Sequence, residues 1–265
     1  MKPSATRLRV RSALTLILVT ALTGCHSAPP AYQPPDRGAR KPEPGQAAIA
    51  NMQMAIEYLR TNDLGRARDR IERALKEAPD NANVQETAGL VYERLNEMSK
   101  AQRAFAAAVR LGKQDPNIMN SYAGFLCRTG KAAAGEKIFM EVARNPIYQT
   151  PEVALVNAGV CDSAAGDAVD AQRNFDHALA IKPNMPQALL ESGNLALQRG
   201  DASDALDFVK RFLAVNQPTP EILYLGLRAE HKLGDATAAA AYARRVQTEF
   251  PNSEEAQAIR SGADR

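Results

Sequence analysis

Histidine is scarce in this chain, and so are the groupings that chemistry needs. The three histidines are His26, His177 and His231, and no two have the spacing of metal ligands. His177 follows Asp176 on an amphipathic stretch and reads as a surface residue. No glycine-rich loop follows a strand, because no segment reads convincingly as a strand. Serine and aspartate occur without a nucleophile–base pattern. These absences speak against an enzyme, a metal or other cofactor, and a small-molecule substrate. Long apolar runs are also missing. The most apolar stretch, residues 12–22, is about eleven residues, whereas a membrane-spanning helix needs roughly 20. Residues 1–24 contain no acid but hold Lys2, Arg7, Arg9 and Arg11. Without these four cations the formal charge of +3 becomes −1. The net basicity therefore belongs to the leader, and nothing points to nucleic acid or to an electrostatic membrane patch.

A cationic start, a short apolar segment and then Leu22-Thr23-Gly24-Cys25 have the order of an export signal, residues 1–24. The tetrapeptide resembles the lipobox of bacterial lipoproteins. There the small residues admit a peptidase and the cysteine thiolate accepts diacylglycerol. Cys25 is then the lipidation site, carrying diacylglycerol and palmitate, and several acyl chains anchor a protein firmly without spanning the bilayer. The other reading is an ordinary signal peptide with an incidental cysteine. His26 stands where an Asp would resemble an inner-membrane retention signal, which favours the outer membrane. Residues 25–46 include Pro29, Pro30, Pro34, Pro35, Pro42 and Pro44. Such a stretch favours extended polyproline geometry, about 3.1 Å per residue, and reads as a tether reaching roughly 65 Å. A proline-rich ligand for another domain is the alternative.

The remainder is periodic. Ala67/Ile71/Ala74, Ala101/Phe105/Ala108 and Ala171/Phe175/Ala178 share one spacing, and Gly135/Phe139/Val142, Ala205/Val209/Phe212 and Ala239/Ala243/Val246 follow it more loosely. Successive units are 34, 34, 36, 34 and 34 residues apart, counted at Ala67, Ala101, Gly135, Ala171, Ala205 and Ala239. Twelve residues earlier lie Ala55, Gly89, Ala123, Gly159, Gly193 and Leu227, mostly small, so two helices can approach closely. Five residues before each lie Asn62, Asn96, Gly130, Gly166, Gly200 and Gly234, suited to a turn with positive φ. Pro79, Pro183 and Pro251 fall at the ends of second helices in register, and Pro116, Pro146 and Pro218 fall near the ends of the others. This is the period of the tetratricopeptide repeat, a helix–turn–helix unit. The expected fold is all-α, a right-handed superhelical solenoid of six tetratricopeptide (TPR) repeats over 48–253. The units are 48–81, 82–115, 116–149, 152–185, 186–219 and 220–253, and a C-terminal tail, 254–265, starts as a short helix.

Such a solenoid leaves a concave face lined mainly by first helices. The second, fifth, ninth, twelfth and thirteenth residues of each unit tend to face it. In the first unit these are Ile49, Met52, Ile56, Leu59 and Arg60. The four apolar ones form a candidate partner strip, or else a surface packed beneath the linker or a neighbouring unit. The fourth unit offers Val153, Val156 and Val160, and the second Asn83, Glu86, Leu90, Glu93 and Arg94, more polar. Leu90 and Glu93 join the partner-binding candidates. Tyr224, Arg228, His231 and Lys232 make a basic end that reads as a solvated face. Cys127 and Cys161 fall on first helices of adjacent units, two residues apart in register. In an oxidising compartment they read as a disulfide worth roughly 3–4 kcal/mol by chain entropy; two buried thiols are the alternative.

The stretch Ser121–Cys161, "SYAGFLCRTGKAAAGEKIFMEVARNPIYQTPEVALVNAGVC", resembles the type IV pilus biogenesis/stability lipoproteins of the PilF/PilW family. The elements carrying it are Tyr122, Gly124-Phe125-Leu126-Cys127, Gly130, Glu136, Phe139, Pro146-Ile147-Tyr148, Thr150-Pro151 and Asn157-Ala158-Gly159-Val160-Cys161. Gly135 departs from the pattern, an Ala being usual there, and is expected to loosen the third repeat. The resemblance implies an outer-membrane lipoprotein facing the periplasm. It also implies a non-catalytic pilotin that binds subunits of a type IV pilus secretin (PilQ type) and promotes their insertion and multimerisation. A repeat scaffold for peptidoglycan hydrolases or another envelope assembly, or a tight-adherence pilus lipoprotein, is the alternative.

Overall fold

In the computed structural model the described residues are 44–262, all in helices and the turns between them. The expected export signal, Cys25 and most of the expected tether lie outside the described residues. Six helix pairs follow one another. They are α1 (Pro44–Arg60) with α2 (Leu64–Glu77), α3 (Ala82–Arg94) with α4 (Met98–Leu111), and α5 (Pro116–Arg128) with α6 (Ala132–Arg144). Then come α7 (Pro151–Ala165) with α8 (Ala168–Ile181), α9 (Pro186–Arg199) with α10 (Ala202–Val215), and α11 (Pro220–Leu233) with α12 (Ala236–Glu249). A last short helix, α13 (Glu254–Ser261), packs against α11 and α12.

One turn chemistry repeats six times. Asn62, Asn96, Gly130, Gly166, Gly200 and Gly234 all have positive φ, between 57° and 91°. The residue after each donates its backbone N–H back across the turn. Asp63 reaches the Tyr58 carbonyl, Glu97 reaches Tyr92, Lys131 reaches Leu126, Asp167 reaches Asp162, Asp201 reaches Ala196 and Asp235 reaches Glu230, at 2.8–3.0 Å. These are Schellman closures, which satisfy carbonyls that the ending helix leaves over. In three pairs the same residue then caps the next helix: Asp63, Asp167 and Asp235 accept from the N–H three residues on.

Side-chain size sets the closeness of each pair. A Cβ on Gly159 would lie 2.5 Å from the Phe175 ring, so glycine there lets α8 lay an aromatic ring on α7. Gly89 and Phe105 repeat that arrangement between α3 and α4. In the last pair Leu227 occupies the expected small position and is buried, and Gly226 instead admits the Tyr242 ring. Odd-numbered helices pack on one another in sequence, α1 on α3, α3 on α5, and so on to α11, whereas among the described residues no two even-numbered helices bring their backbones as close. The odd helices are therefore the inner row, and the groove runs along them.

Three expectations need correction. Pro116 does not end a second helix; it opens α5 at the first turn, as Pro151, Pro186 and Pro220 open α7, α9 and α11. Proline fits that position because its missing N–H would have no partner there. The tether does not run to residue 46, since α1 begins at Pro44. Gly135 does not loosen the third repeat. An added Cβ would lie 2.4 Å from the Cys127 sulfur and 2.8 Å from the Ala123 carbonyl, so α6 approaches α5 more closely than an alanine would permit.

Candidate functional site

The inner row is not uniform along its length. A pocket of about 400 Å³ opens on it between α5 and α7, with Leu90 of α3 at one end. Cys127 and Cys161 are joined by a disulfide, Cα atoms 5.5 Å apart, and both line this pocket. The bridge ties α5 to α7 across one repeat, with Phe139 of α6 behind it. Val160, 41% exposed, and Ala164 supply an apolar wall from α7.

The rim is polar and nearly neutral. Asn157 Nδ2 donates to Asn120 Oδ1 at 3.2 Å, across the α5–α7 boundary. Each carboxamide carries two donor hydrogens and an acceptor oxygen, so this one bond leaves capacity of both kinds for a ligand backbone. Arg128 is the one formally charged side chain among the lining residues, and it is already paired. Its Nε lies 2.7 Å from Glu93 Oε1 and its second guanidinium nitrogen 3.0 Å from Oε2, a two-bond fork linking α3 to α5. Gly124 gives the guanidinium room, since a Cβ there would sit 3.0 Å from an Arg128 nitrogen. Beside the pocket Glu86 is half-buried, and burial raises its pKa, opposed by a hydrogen bond with Ser121 and reinforced by Asp115. An apolar floor under paired carboxamides suits one apolar side chain together with a peptide group. It does not suit a strongly charged ligand.

The residues singled out in the first unit divide. Ile49 and Ile56 are 44% and 37% exposed. Met52 and Leu59 are partly buried and pack against the cluster built on Ala55, Ala67 and Ile71, so half of the apolar strip belongs to the core. Arg60 is exposed and pairs with Glu57 at 3.2 Å. None of these five lines the pocket. Leu90 lines it, and Glu93 reaches it through Arg128. In the fourth unit only Val160 is available: Val156 is buried, and Val153 packs against the core. Asn83, Arg228, His231 and Lys232 are exposed, Tyr224 is half-buried, and Arg94 donates to Asn62 Oδ1 at 2.7 Å. Asn120, Gly124 and Ala164 occupy groove register positions but were not among the partner-binding candidates, and Asn157 is one residue out of register. Among the described residues no group of three or more His, Cys, Asp and Glu could hold a metal ion. No described helix is long and apolar enough to cross a membrane.

Comparison with known proteins agrees with this architecture. Residues 52–116 and 163–230 each match a family model described as tetratricopeptide repeat. The structure superposes on the crystal structure of PilW, a widely conserved type IV pilus biogenesis factor, with a TM-score of 0.68 and 31% identity. That match covers 81% of this chain and 98% of the other. Pseudomonas aeruginosa PilF aligns with a TM-score of 0.63 over 83% of this chain and 99% of its own, at 20% identity, a likeness of fold. An uncharacterised protein of Haemophilus influenzae is 24% identical over 119 residues. This chain spans 66% of that relative's length, and the match takes in 45% of this chain. With near-complete coverage of PilW at that identity, the chain belongs to the PilW family of tetratricopeptide-repeat proteins.

Proposed function

We propose that this chain is a lipid-anchored, non-catalytic pilotin of type IV pilus assembly. The observation that carries the reading is the 31% identity to PilW, a type IV pilus biogenesis factor, over 98% of that protein. On this reading Cys25 bears diacylglycerol and palmitate and holds the chain to the periplasmic face of the outer membrane. The proline-rich segment gives the solenoid reach. The groove grips subunits of the pilus secretin and favours their insertion and multimerisation. The pocket over Cys127–Cys161 is its best-formed seat, because it combines an apolar floor with backbone-pairing carboxamides. Ile49 and Ile56 extend the contact toward the first repeat.

The test uses cells lacking the chain, complemented with the wild type or with Cys25→Ala. Heat-stable secretin multimers in the outer membrane return with the wild type and fall several-fold with Cys25→Ala. Unchanged multimers in the cells lacking the chain refute the reading and turn attention to peptidoglycan hydrolases or another envelope assembly as the cargo.

A further inference from the structure

The fourth helix pair is joined by a buried polar contact where its neighbours use apolar ones. Asp162 of α7 is 4% exposed and Asn174 of α8 is 0% exposed. Asn174 Nδ2 donates to Asp162 Oδ2 at 2.7 Å. The Asp162 backbone carbonyl accepts the Schellman bond that Tyr92, Leu126 and Ala196 accept in other pairs, which fixes the register. The matching positions hold Tyr92 and Ala104, Leu126 and Ile138, and Ala196 and Phe208 in the second, third and fifth pairs, and Tyr58 and Arg70, and Glu230 and Tyr242, in the first and last. An acid and an amide in such a place are costly unless their hydrogen bonds are made.

One is not made. Asn174 Oδ1 is buried and has no donor. An ionised carboxylate only accepts, so whichever way the carboxamide lies, the ionised pair is one donor short. Among the described residues no cation is found acting on Asp162. The charged groups that act on Asp162 are Glu136 of α6, Asp170 of α8 and Asp167 of the intervening turn, all acidic. Asp170 is itself engaged by Arg173 at 2.8 Å. None of these groups comes from α5 or α9, the other helices packed on α7.

We propose that Asp162 keeps its proton in the folded protein through the mildly acidic range and donates it to Asn174 Oδ1, closing a reciprocal carboxyl–carboxamide latch between α7 and α8. The proton supplies the missing donor and removes a buried charge in one step. Helix α7 also carries Asn157, Val160, Cys161 and Ala164 of the pocket, so the latch backs one wall of the groove. It stands whether or not the groove's partner is a secretin.

Burial pushes the Asp162 pKa from 3.8 up to about 6, opposed by the Asn174 hydrogen bond and reinforced by Glu136, Asp170 and Asp167. The folded state then binds the proton more tightly than the unfolded chain. The latch's contribution is fully present below about pH 4 and is lost as pH rises through about 6. Between about pH 7.5 and about pH 5 the folded-to-unfolded ratio gains roughly tenfold from this group alone.

Two measurements on the full chain test this. The first is the pH titration of the Asp162 carboxyl carbon by NMR, with a midpoint expected near 6; a midpoint below about 4.5 overturns the proposal. The second compares urea unfolding of wild type and Asp162→Asn, which keeps the shape without a titrating proton, at about pH 7.5 and about pH 5. The wild type is expected to gain roughly tenfold more than the variant on acidification. Parallel behaviour of the two overturns it. The NMR titration needs no variant, so failure of Asp162→Asn to fold leaves the proposal open to refutation.

Discussion

Replacing Gly135 by alanine separates two expectations sharply. Helix propensity alone favours the change by about 1 kcal/mol. Packing opposes it. The new methyl would lie 2.4 Å from the Cys127 sulfur, 2.8 Å from the Ala123 carbonyl and 3.3 Å from the Cys127 backbone nitrogen. Comfortable carbon contacts begin near 3.5 Å, so α5 and α6 must part by about an ångström. The obstacles are a bridged sulfur and backbone atoms rather than the free end of a long side chain. The overpacking cost therefore falls toward the upper part of its range of about 1–3 kcal/mol. The net expectation is destabilisation by about 2 kcal/mol. In a Cys127→Ala/Cys161→Ala background the sulfur contact vanishes and the carbonyl contact remains. There the same change should cost no more than about 1 kcal/mol. Urea unfolding of the four variants of this cycle, followed by helix content under non-reducing conditions, gives both values and a coupling of about 1–2 kcal/mol. If Gly135→Ala stabilises the disulfide-bonded protein, or costs the same in both backgrounds, the reasoning about this contact is wrong.

Two further outcomes follow from the same packing. Replacing Cys127 and Cys161 together by alanine should lower stability by about 3–4 kcal/mol, given their separation of 34 residues, as read by urea unfolding against the oxidised wild type. Phe175→Ala should cost about 3–5 kcal/mol, because its buried ring fills the space left by Gly159 and no side chain on α7 can replace it.

Much of the scaffold was legible in advance because its signals are local. A positive φ needs Gly or Asn, and a ring laid on a neighbouring helix needs Gly opposite it. Asn62 and Gly166 announce the turns in this way, and Gly159 with Phe175 announces a pair. The groove was less legible. On an inner helix the core face and the groove face adjoin, and the same helical period serves both. Val156 and Val160 are four residues apart, yet one is buried and the other open. Met52 and Leu59 went to the core for the same reason. Asn120 and Asn157 meet only because α5 and α7 stack, a contact that no spacing within one helix encodes. Gly135 looked like a loosening because an alanine is usual at that place for helix closure; the sulfur beside it reverses the sign. Asp162 and Asn174 carried no motif, and their burial emerged only from the packed pair.

The measurement that tests the central claim most directly is site-specific photo-crosslinking in cells that assemble type IV pili. A photoreactive residue at Val160 in the groove is compared with one at Val169, which is 75% exposed on α8 outside the pocket. Mass spectrometry then identifies what each position captures. The account predicts a secretin subunit captured from Val160 and not from Val169. Capture of peptidoglycan hydrolases without secretin at Val160, or of secretin at Val169 alone, would contradict it.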